Sequence, residues 1–256
     1  MLHPHKGKLS VLIITLNEER NMKELLTELA FADEVIVVDS YSTDRTKEIC
    51  MSFPYVKFLE NKFENYTSQR NFAMDQAQND WILFIDADER LTPELKKEVL
   101  ETIVSEHPKS AYLLYRTFMF KNSKLRFSGW QTDKIFRLFH RGKARYKNER
   151  LVHEKLDVIG EIGKLKSKLI HYSYSDYQSY KAKMVAYGRL KAIEAKNRGI
   201  VPNFFHFVIK PLYKFVYQYL IRLGILDGGR GIVICYLNAY SVYVRYQFLK
   251  EMTAKN

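Results

Sequence analysis

The first 105 residues alternate short, continuous apolar runs with amphipathic segments, and this alternation constrains the fold more than any other feature. Leu9 to Thr15 (LSVLIIT), Glu34 to Asp39 (EVIVVD), Val56 to Leu59 and Trp81 to Ile85 (WILFI) are rich in β-branched and aromatic residues. Strands have this unbroken apolar character when both faces are covered. Between them, Asn21 to Phe31 places Met22, Leu25, Leu26 and Leu29 on one face, the spacing of a helix that packs along one stripe. Thr43 to Met51 opens beside a cap-like Ser-Thr-Asp, Tyr66 to Ala77 follows, and Pro93 to Val104 has Thr92 as its cap and Pro93 at its first position. Repeated βα units of this kind predict an α/β fold with a mostly parallel, doubly wound sheet. Ligands of such sheets bind at the carboxyl ends of the strands, so the polar residues just after each strand are the ones to weigh.

After Ser110 the pattern changes. Ala111 to Lys121 and Lys134 to His140 alternate in character, which predicts a mixed or antiparallel second half. A long helix is expected over Asp176 to Asn197, ended by Gly199 with Pro202 beyond. Further on, apolar residues from Phe204 to Leu223 recur at three- and four-residue spacing while Lys210, Lys214, Gln218 and Arg222 fall at strict i, i+4 intervals. That spacing predicts an amphipathic helix with a basic ridge. Asp227 to Gly231 reads as a turn, and Ile232 to Leu249 as a second apolar, Tyr-rich helix.

Composition bounds the function classes. The net charge of +12 is uneven: residues 1–100 hold 12 Lys/Arg against 18 Asp/Glu, and residues 101–256 hold 29 against 11. The basic surplus suits an anionic partner, either nucleic acid, lipid or a phosphorylated ligand. Nucleic acid is the least favoured, because no binding motif accompanies the charge. Two distant cysteines, Cys50 and Cys235, form neither a disulfide framework nor a zinc spacing, as expected in a reducing compartment. The apolar start VLIIT is too short for a signal-peptide core. The 14 uncharged residues from Gly231 to Val244 fall short of the roughly 18 to 20 that a spanning helix needs. A cytoplasmic protein is expected.

Four groups of polar residues stand at strand ends. Ile85-Asp86-Ala87-Asp88-Glu89 places two carboxylates at i, i+2 after a buried strand. Their mutual repulsion is relieved by a hard divalent cation such as Mg²⁺ or Mn²⁺ bridging to phosphate. Two solvated turn acids, or the nucleophile pair of haloacid-dehalogenase-like phosphatases, are the competing readings; the latter usually have Thr or Val where Arg90 stands. Asp39 to Asp44 (DSYSTD) follows the second strand and leads into a helix, so it reads as a base or ribose contact or as a plain cap and turn. Thr15-Leu16-Asn17-Glu18 places Glu18 at the same rim, and Gln69-Arg70-Asn71 opens a helix from which Arg70 is a candidate phosphate partner. No Gly-rich phosphate loop occurs, which argues against dinucleotide enzymes and P-loop ATPases.

Taken in order and spacing, SVLIITLNEERN, VIVVDSYSTDRT and SQRNFAMDQAQNDWILFIDADE resemble the family-two glycosyltransferases with the GT-A fold. Gly129-Trp130, DKIFRLFHRGKARY from Asp133, LVHEKL from Leu151 and LIHYSY from Leu169 are similar to the lipopolysaccharide-core glucosyltransferase branch. The resemblance covers residues 8–180 or so. It implies a Rossmann-like GT-A catalytic domain over residues 1–175, with a donor half to about 105 and an acceptor half beyond, followed by a helical extension over 176–256. It further implies that Thr15, Asn17, Glu18, Asp39 and Asp44 surround the nucleotide of a UDP-sugar, with Asp39 facing the uracil and Arg70 approaching the diphosphate. Asp86 then lies near the ribose and metal, Asp88 is the main ligand of Mg²⁺ or Mn²⁺, and His171 is a further candidate ligand. The family's base is a carboxylate, usually in a Glu-Asp pair; His153-Glu154 stands here instead, so Glu154 is the first candidate and Asp133 the second. The implied reaction is an inverting transfer of a sugar, glucose by resemblance, to an anionic glycolipid or glycan acceptor. The implied place is the inner face of the cytoplasmic membrane, with the C-terminal helices at an anionic membrane surface or in a homodimer contact.

Overall fold

In a computed structural model, which describes residues 7–121, 123–147, 155–174 and 176–254, the chain divides into two compact units. One comprises residues 1–116 and 134–171, and the other residues 117–133 and 172–256.

The first unit begins with three βα steps and a fourth strand: β1 (Leu9–Thr15), α1 (Glu19–Leu29), β2 (Glu34–Asp39), α2 (Thr46–Met51), β3 (Val56–Glu60), α3 (Tyr66–Gln76) and β4 (Trp81–Phe84). Strands β5 (Glu89–Leu91), β6 (Ala111–Phe120), β8 (Lys134–His140) and β11 (Ile162–Tyr174) extend the sheet, with helix α4 (Pro93–Val104) between β5 and β6. The strand order is β3-β2-β1-β4-β8-β6-β11-β5, with β7 (Ser123–Leu125) paired to β6. β1 pairs parallel with β2 and β4, and β2 with β3, whereas β8 runs antiparallel to β4 and β6, and β11 to β5. The parallel donor-side half and mixed second half match the expected α/β architecture. Strands β9 (Ala144–Lys147) and β10 (Lys155–Val158) form a separate antiparallel pair.

Both faces of the parallel half are covered, as its continuous apolarity requires. Leu9, Val11 and Ile13 pack on one side with Met22, Leu25, Leu26 and Leu29 of α1 and Leu95, Val99 and Ile103 of α4. Leu12, Ile36 and Val38 face the other side with Ala73 and Met74 of α3. Each strand divides its apolar residues between the two layers at period two.

Some boundaries move from those expected. The helix expected from Thr43 starts only at Thr46. The preceding residues are occupied across the loop: Asn17 N–H donates to Ser42 Oγ at 2.7 Å and Thr43 N–H to Asn17 Oδ1 at 2.8 Å. The first helix begins at Glu19 rather than Asn21 and ends at Leu29.

The second unit is built on helices α5 (Tyr177–Asn197), α6 (Lys210–Val216) and α7 (Gly228–Ala254). Asp176 caps α5 in a box with Ser179. α5 and α7 pack closely because Gly188 has no side chain: a Cβ there would stand 2.9 Å from the Ser241 carbonyl oxygen. The expected turn over Asp227 to Gly231 is instead mostly the first turn of α7. Asp227 accepts from the Arg126 and Phe127 amides at 2.9 and 3.0 Å, and Gly231 lies so close to the Gly224 carbonyl that a Cβ would be 1.8 Å from its oxygen.

α6 is extended on both sides by π-helical turns, Phe205–Ile209 and Tyr217–Ile221. The basic ridge is present, but it faces the unit's interior. Lys210 Nζ donates to the Tyr246 hydroxyl at 2.9 Å, Gln218 is buried with Nε2 on the Ser128 carbonyl at 3.3 Å, and Arg222 reaches Thr132 Oγ1 at 2.7 Å. Burial, with the nearby charge of Arg245, pushes the Lys214 ammonium below its ordinary pKa. A strict i, i+4 row drifts by about 40° per step around an α-helix, and the wider π turn at Tyr217–Ile221 takes up part of that drift. Among the described residues, no helix is long and apolar enough to cross a membrane.

Candidate active site at the strand ends

Two rims of the first unit carry the polar residues singled out in the sequence. At the carboxyl ends of β1 and β2, the two following loops are laced together. Glu18 N–H donates to Thr46 Oγ1 at 2.8 Å and Glu19 N–H to Asp44 at 3.1 Å, while Asn21 holds the Glu18 carboxylate at 2.6 Å. Asp39 is buried and accepts both the amide and the hydroxyl of Ser42, at 2.6 and 2.5 Å. Thr15 pairs with Asp39 in the sheet, and its buried hydroxyl has no hydrogen-bond partner among the described residues. The structure therefore brings Thr15, Asn17, Glu18, Asp39 and Asp44 to one rim. Burial acts to raise the Asp44 pKa, but its hydrogen bonds from Thr46 outweigh this and keep it low.

At the end of β4 the chain turns through Asp86 to Glu89 and returns as β5. The turn is closed from both sides, by Glu89 N–H on the Asp86 carbonyl at 2.9 Å and by Asp86 N–H on the Glu89 carboxylate at 3.0 Å. Arg90, the residue that departs from the phosphatase pattern, fastens the turn. Its guanidinium donates to the Ala87 and Glu89 carbonyls at 2.8 and 2.9 Å and to Glu24 of α1 at 3.0 Å.

Asp86 and Asp88 have different surroundings. Asp86 accepts from Arg70 at 3.0 Å and from Arg137, whose Nη2 also donates to the buried Glu89 at 2.7 Å. Arg116 stands 3.5 Å from Glu89. Burial would raise the Asp86 pKa, yet the charges of Arg137 and Arg70 prevail and hold its carboxyl well below the usual range. Burial likewise opposes the charge on Arg137, and Asp86 and Glu89 outweigh it, so its pKa is raised. Arg70 is itself buried, with its guanidinium 4.8 Å from the centre of the Phe84 ring and 5.5 Å from that of Tyr146. The structure thus gives Arg70 to Asp86, where the sequence alone suggested a direct reach toward phosphate.

Asp88 is different: its side chain is 26% exposed, and His171 Nε2 lies 3.1 Å from its carboxylate. The pair forms because β11 runs antiparallel to β5 with His171 opposite Glu89. A carboxylate beside an imidazole suits a divalent cation of intermediate hardness. Among the described residues, no group of three or more His, Cys, Asp or Glu side chains is arranged to hold a metal. Of the two ions that the sequence suggested, the Asp88 carboxylate suits both and the imidazole beside it favours Mn²⁺ over Mg²⁺; such an ion would complete its shell from the phosphates of a nucleotide.

Arg137 and Glu89 were not singled out in the sequence, although a signal was there. Arg137 interrupts the otherwise apolar run from Ile135 to Phe139, and a charge in such a place needs a buried partner. Asp133 belongs to the second unit, where its amide donates to the Trp130 carbonyl at 3.1 Å. Glu154 and its neighbour His153 lie outside the described residues.

The family model for glycosyl transferase family 2 matches residues 10–158, more than half of the chain. The chain belongs to glycosyl transferase family 2. An uncharacterised glycosyltransferase of Rickettsia typhi is 29% identical over 97% of this chain and 89% of its own length. The lipopolysaccharide core biosynthesis glycosyltransferase LpsC of Rhizobium meliloti is 28% identical over 94% of each chain. Among solved structures, S. aureus TarS residues 1–349 in complex with UDP is similar at 18% identity, with a TM-score of 0.49, over 97% of this chain and 91% of that one. The resemblance seen in the motifs is borne out at the level of the family.

Proposed function

We propose that this glycosyltransferase moves a hexose, glucose in the first instance, from a UDP-sugar to a lipid-linked, anionic glycan acceptor of the lipopolysaccharide-core kind, with inversion and with Mg²⁺ or Mn²⁺. The observation that carries the donor half of this reading is the Asp88–His171 pair at 3.1 Å, beside an Asp86 held by two guanidiniums at the carboxyl end of β4. The likeness to LpsC along nearly the whole chain supports the acceptor class. A place at the inner face of the cytoplasmic membrane is part of the same proposal and rests on the family resemblance of the motifs.

The proposed roles are those that the family resemblance implies, and the geometry of the described residues supports the donor side of them. Thr15, Asn17, Glu18, Asp39 and Asp44 form the nucleotide rim, with Asp39 toward the uracil. Asp88 and His171 hold the cation, and a bound Mg²⁺ or Mn²⁺ supplies the charge that stabilises the departing diphosphate. Asp86, kept ionised by Arg70 and Arg137, faces the ribose and fixes the turn on which Asp88 stands. Glu154 takes the proton of the acceptor hydroxyl as its oxygen bonds to the anomeric carbon, and the bond from that carbon to the diphosphate oxygen breaks with its electron pair leaving on phosphate. Asp133 is the second candidate for the base. No acid is required, because the leaving group departs as an anion.

Thermal unfolding tests the donor site. UDP with Mn²⁺ at about 100 times its dissociation constant adds roughly 2.7 kcal/mol of stability. Asp88→Asn is expected to erase the manganese-dependent part of the shift and to lower turnover by at least about a hundredfold. An undiminished shift in that variant would remove Asp88 from the metal role. Glu154→Gln that still turned over normally would remove the base assignment, and a panel of nucleotide sugars identifies the donor.

A further inference from the structure

The helical stretch over residues 204–221 of the second unit is polarised the wrong way for a helix bathed in water. Its polar row, Lys210, Lys214, Gln218 and Arg222, is turned inward onto Tyr246, Ser128 and Thr132. Its apolar residues point out: Phe204 is 73% exposed, Leu212 56% and Ile221 68%, with Val208 and Leu220 beside them. The surface continues over Leu226 in the following turn. Exposed apolar surface this continuous marks an interaction site on a soluble protein. It is not a product of sequence hydrophobicity alone, since the same helix has a basic ridge available and has turned it away from solvent.

The charge of the second unit identifies the occupant. Residues 117–133 and 172–256 contain 16 Lys/Arg against 5 Asp/Glu, a balance of +11, so almost the whole +12 of the chain belongs to this unit. A second copy placed on the face would bring +11 against +11, a like-charge juxtaposition that disfavours pairing. An anionic bilayer offers both complements at once: acyl chains for the apolar face and negative headgroups for the net positive charge of the unit that carries it. Exposed Tyr213, Tyr217 and Tyr236 suit the boundary between the two, where an aromatic body is apolar and its hydroxyl stays wet.

We infer that residues 204–226 form a monotopic membrane-docking surface that lies flat in one leaflet of an anionic bilayer, with its apolar face among the acyl chains. Its 18 helical residues, 204–221, measure roughly 27 Å at 1.5 Å per residue. Insertion of such a face reaches about 5–10 Å below the headgroups. The basic ridge has no part in headgroup binding, because it is spent inside the unit. The inference deepens the proposed lipid-linked acceptor by naming how the enzyme meets the surface that carries it.

The test is co-flotation of the full chain with vesicles of phosphatidylglycerol and phosphatidylethanolamine, with phosphatidylcholine vesicles as the neutral arm. The wild type is expected to float with the anionic vesicles and much less with the neutral ones. The Leu212→Glu/Ile221→Glu double variant is expected to lose at least about tenfold in bound fraction, since charged side chains cannot enter the acyl layer. Circular dichroism and the melting temperature report whether that variant has folded. Leu212→Cys carrying an environment-sensitive fluorophore gives a readout that does not depend on it: a blue shift on anionic vesicles and quenching by nitroxides on the acyl chains. Equal flotation of the folded double variant, or a fluorophore that neither shifts nor is quenched, would overturn the inference. So would a wild-type dimer in light scattering that the double variant dissociates without any vesicle binding, which would make a second copy the occupant. The UDP and Mn²⁺ shift is read separately, so a failed donor site and a failed membrane surface give different results.

Discussion

Arg137 shows what a single residue contributes to the site and why the sequence hid it. The two carboxylates after β4 are conspicuous in the sequence, and their position at a strand end is enough to suggest a cation. What cannot be read there is that a guanidinium from 51 residues further on takes one of them. Contact between positions so far apart depends on the antiparallel pairing of β8 with β4, and no local pattern encodes it. Arg137 is fully buried with Glu89, so removing it strips a counter-charge from both Glu89 and Asp86, leaving Arg116 at 3.5 Å from the first and Arg70 at 3.0 Å from the second. Breaking a buried pair in this way costs about 3–5 kcal/mol. Arg137→Met is therefore expected to lower the free energy of unfolding by up to that amount and to abolish turnover, whereas Arg137→Lys recovers part of the stability but not the planar guanidinium whose Nη2 donates to both Asp86 and Glu89. Equilibrium unfolding beside initial rates checks both. Cys50 gives a second expectation at this scale. Burial, with Asp39 and Asp44 nearby, pushes its thiol up to about 12, so it stays protonated and inert. A thiol reagent at about pH 8, where a free cysteine with pKa near 8.5 reacts, is expected to label it only after unfolding.

At the scale of elements, the strands of the parallel half were legible because each is a short apolar stretch, broken by Lys57 in β3, between helical segments, whereas their order β3-β2-β1-β4 is not encoded in any one of them. The short return strand β5 was not, since Glu89-Arg90-Leu91 carries two charges and no apolar pattern. Those charges are satisfied by Arg137 and by Glu24 and backbone carbonyls, which is what allows them to be buried. The same limit applies to the polar ridge of residues 210–222. Its spacing identified a helix with two faces, but periodicity is blind to which face turns inward when both could be covered. Glycines placed the other misread boundary: Gly228 to Gly231 look like a turn, yet they start α7 so that two backbone segments can touch. Gly231→Ala forces a methyl group against the Gly224 carbonyl. Overpacking of this order costs about 1–3 kcal/mol, and the melting temperature is expected to fall accordingly while the affinity for UDP, read by calorimetry, stays as in the wild type.

For the whole molecule, the uneven charge carries the argument. Split by sequence position, it separated an acidic front from a basic back; split by structural unit, it is sharper, with +11 in residues 117–133 and 172–256 and only +1 in the rest. The rim at β1 and β2 that we propose for the nucleotide and the Asp88–His171 pair lie wholly in the unit whose own charges nearly balance. If the basic unit serves to bring the enzyme to an anionic surface, salt acts on the two halves of the reaction differently. Screening shortens the reach of exposed charges from about 10 Å at 0.1 M salt to about 3 Å at 1 M. Transfer to an acceptor embedded in anionic vesicles is expected to fall several-fold over that range, mainly through an increase in apparent KM for the acceptor. Slow hydrolysis of the UDP-sugar in the absence of acceptor is expected to change by less than about twofold, because a diphosphate held in the proposed, partly buried donor site would be screened far less than surface charges. Measuring both rates on the same preparation separates the two units' contributions without altering a residue. A parallel fall in both would show that salt acts on the donor site itself, and the basic unit would then have no separate part in reaching the acceptor.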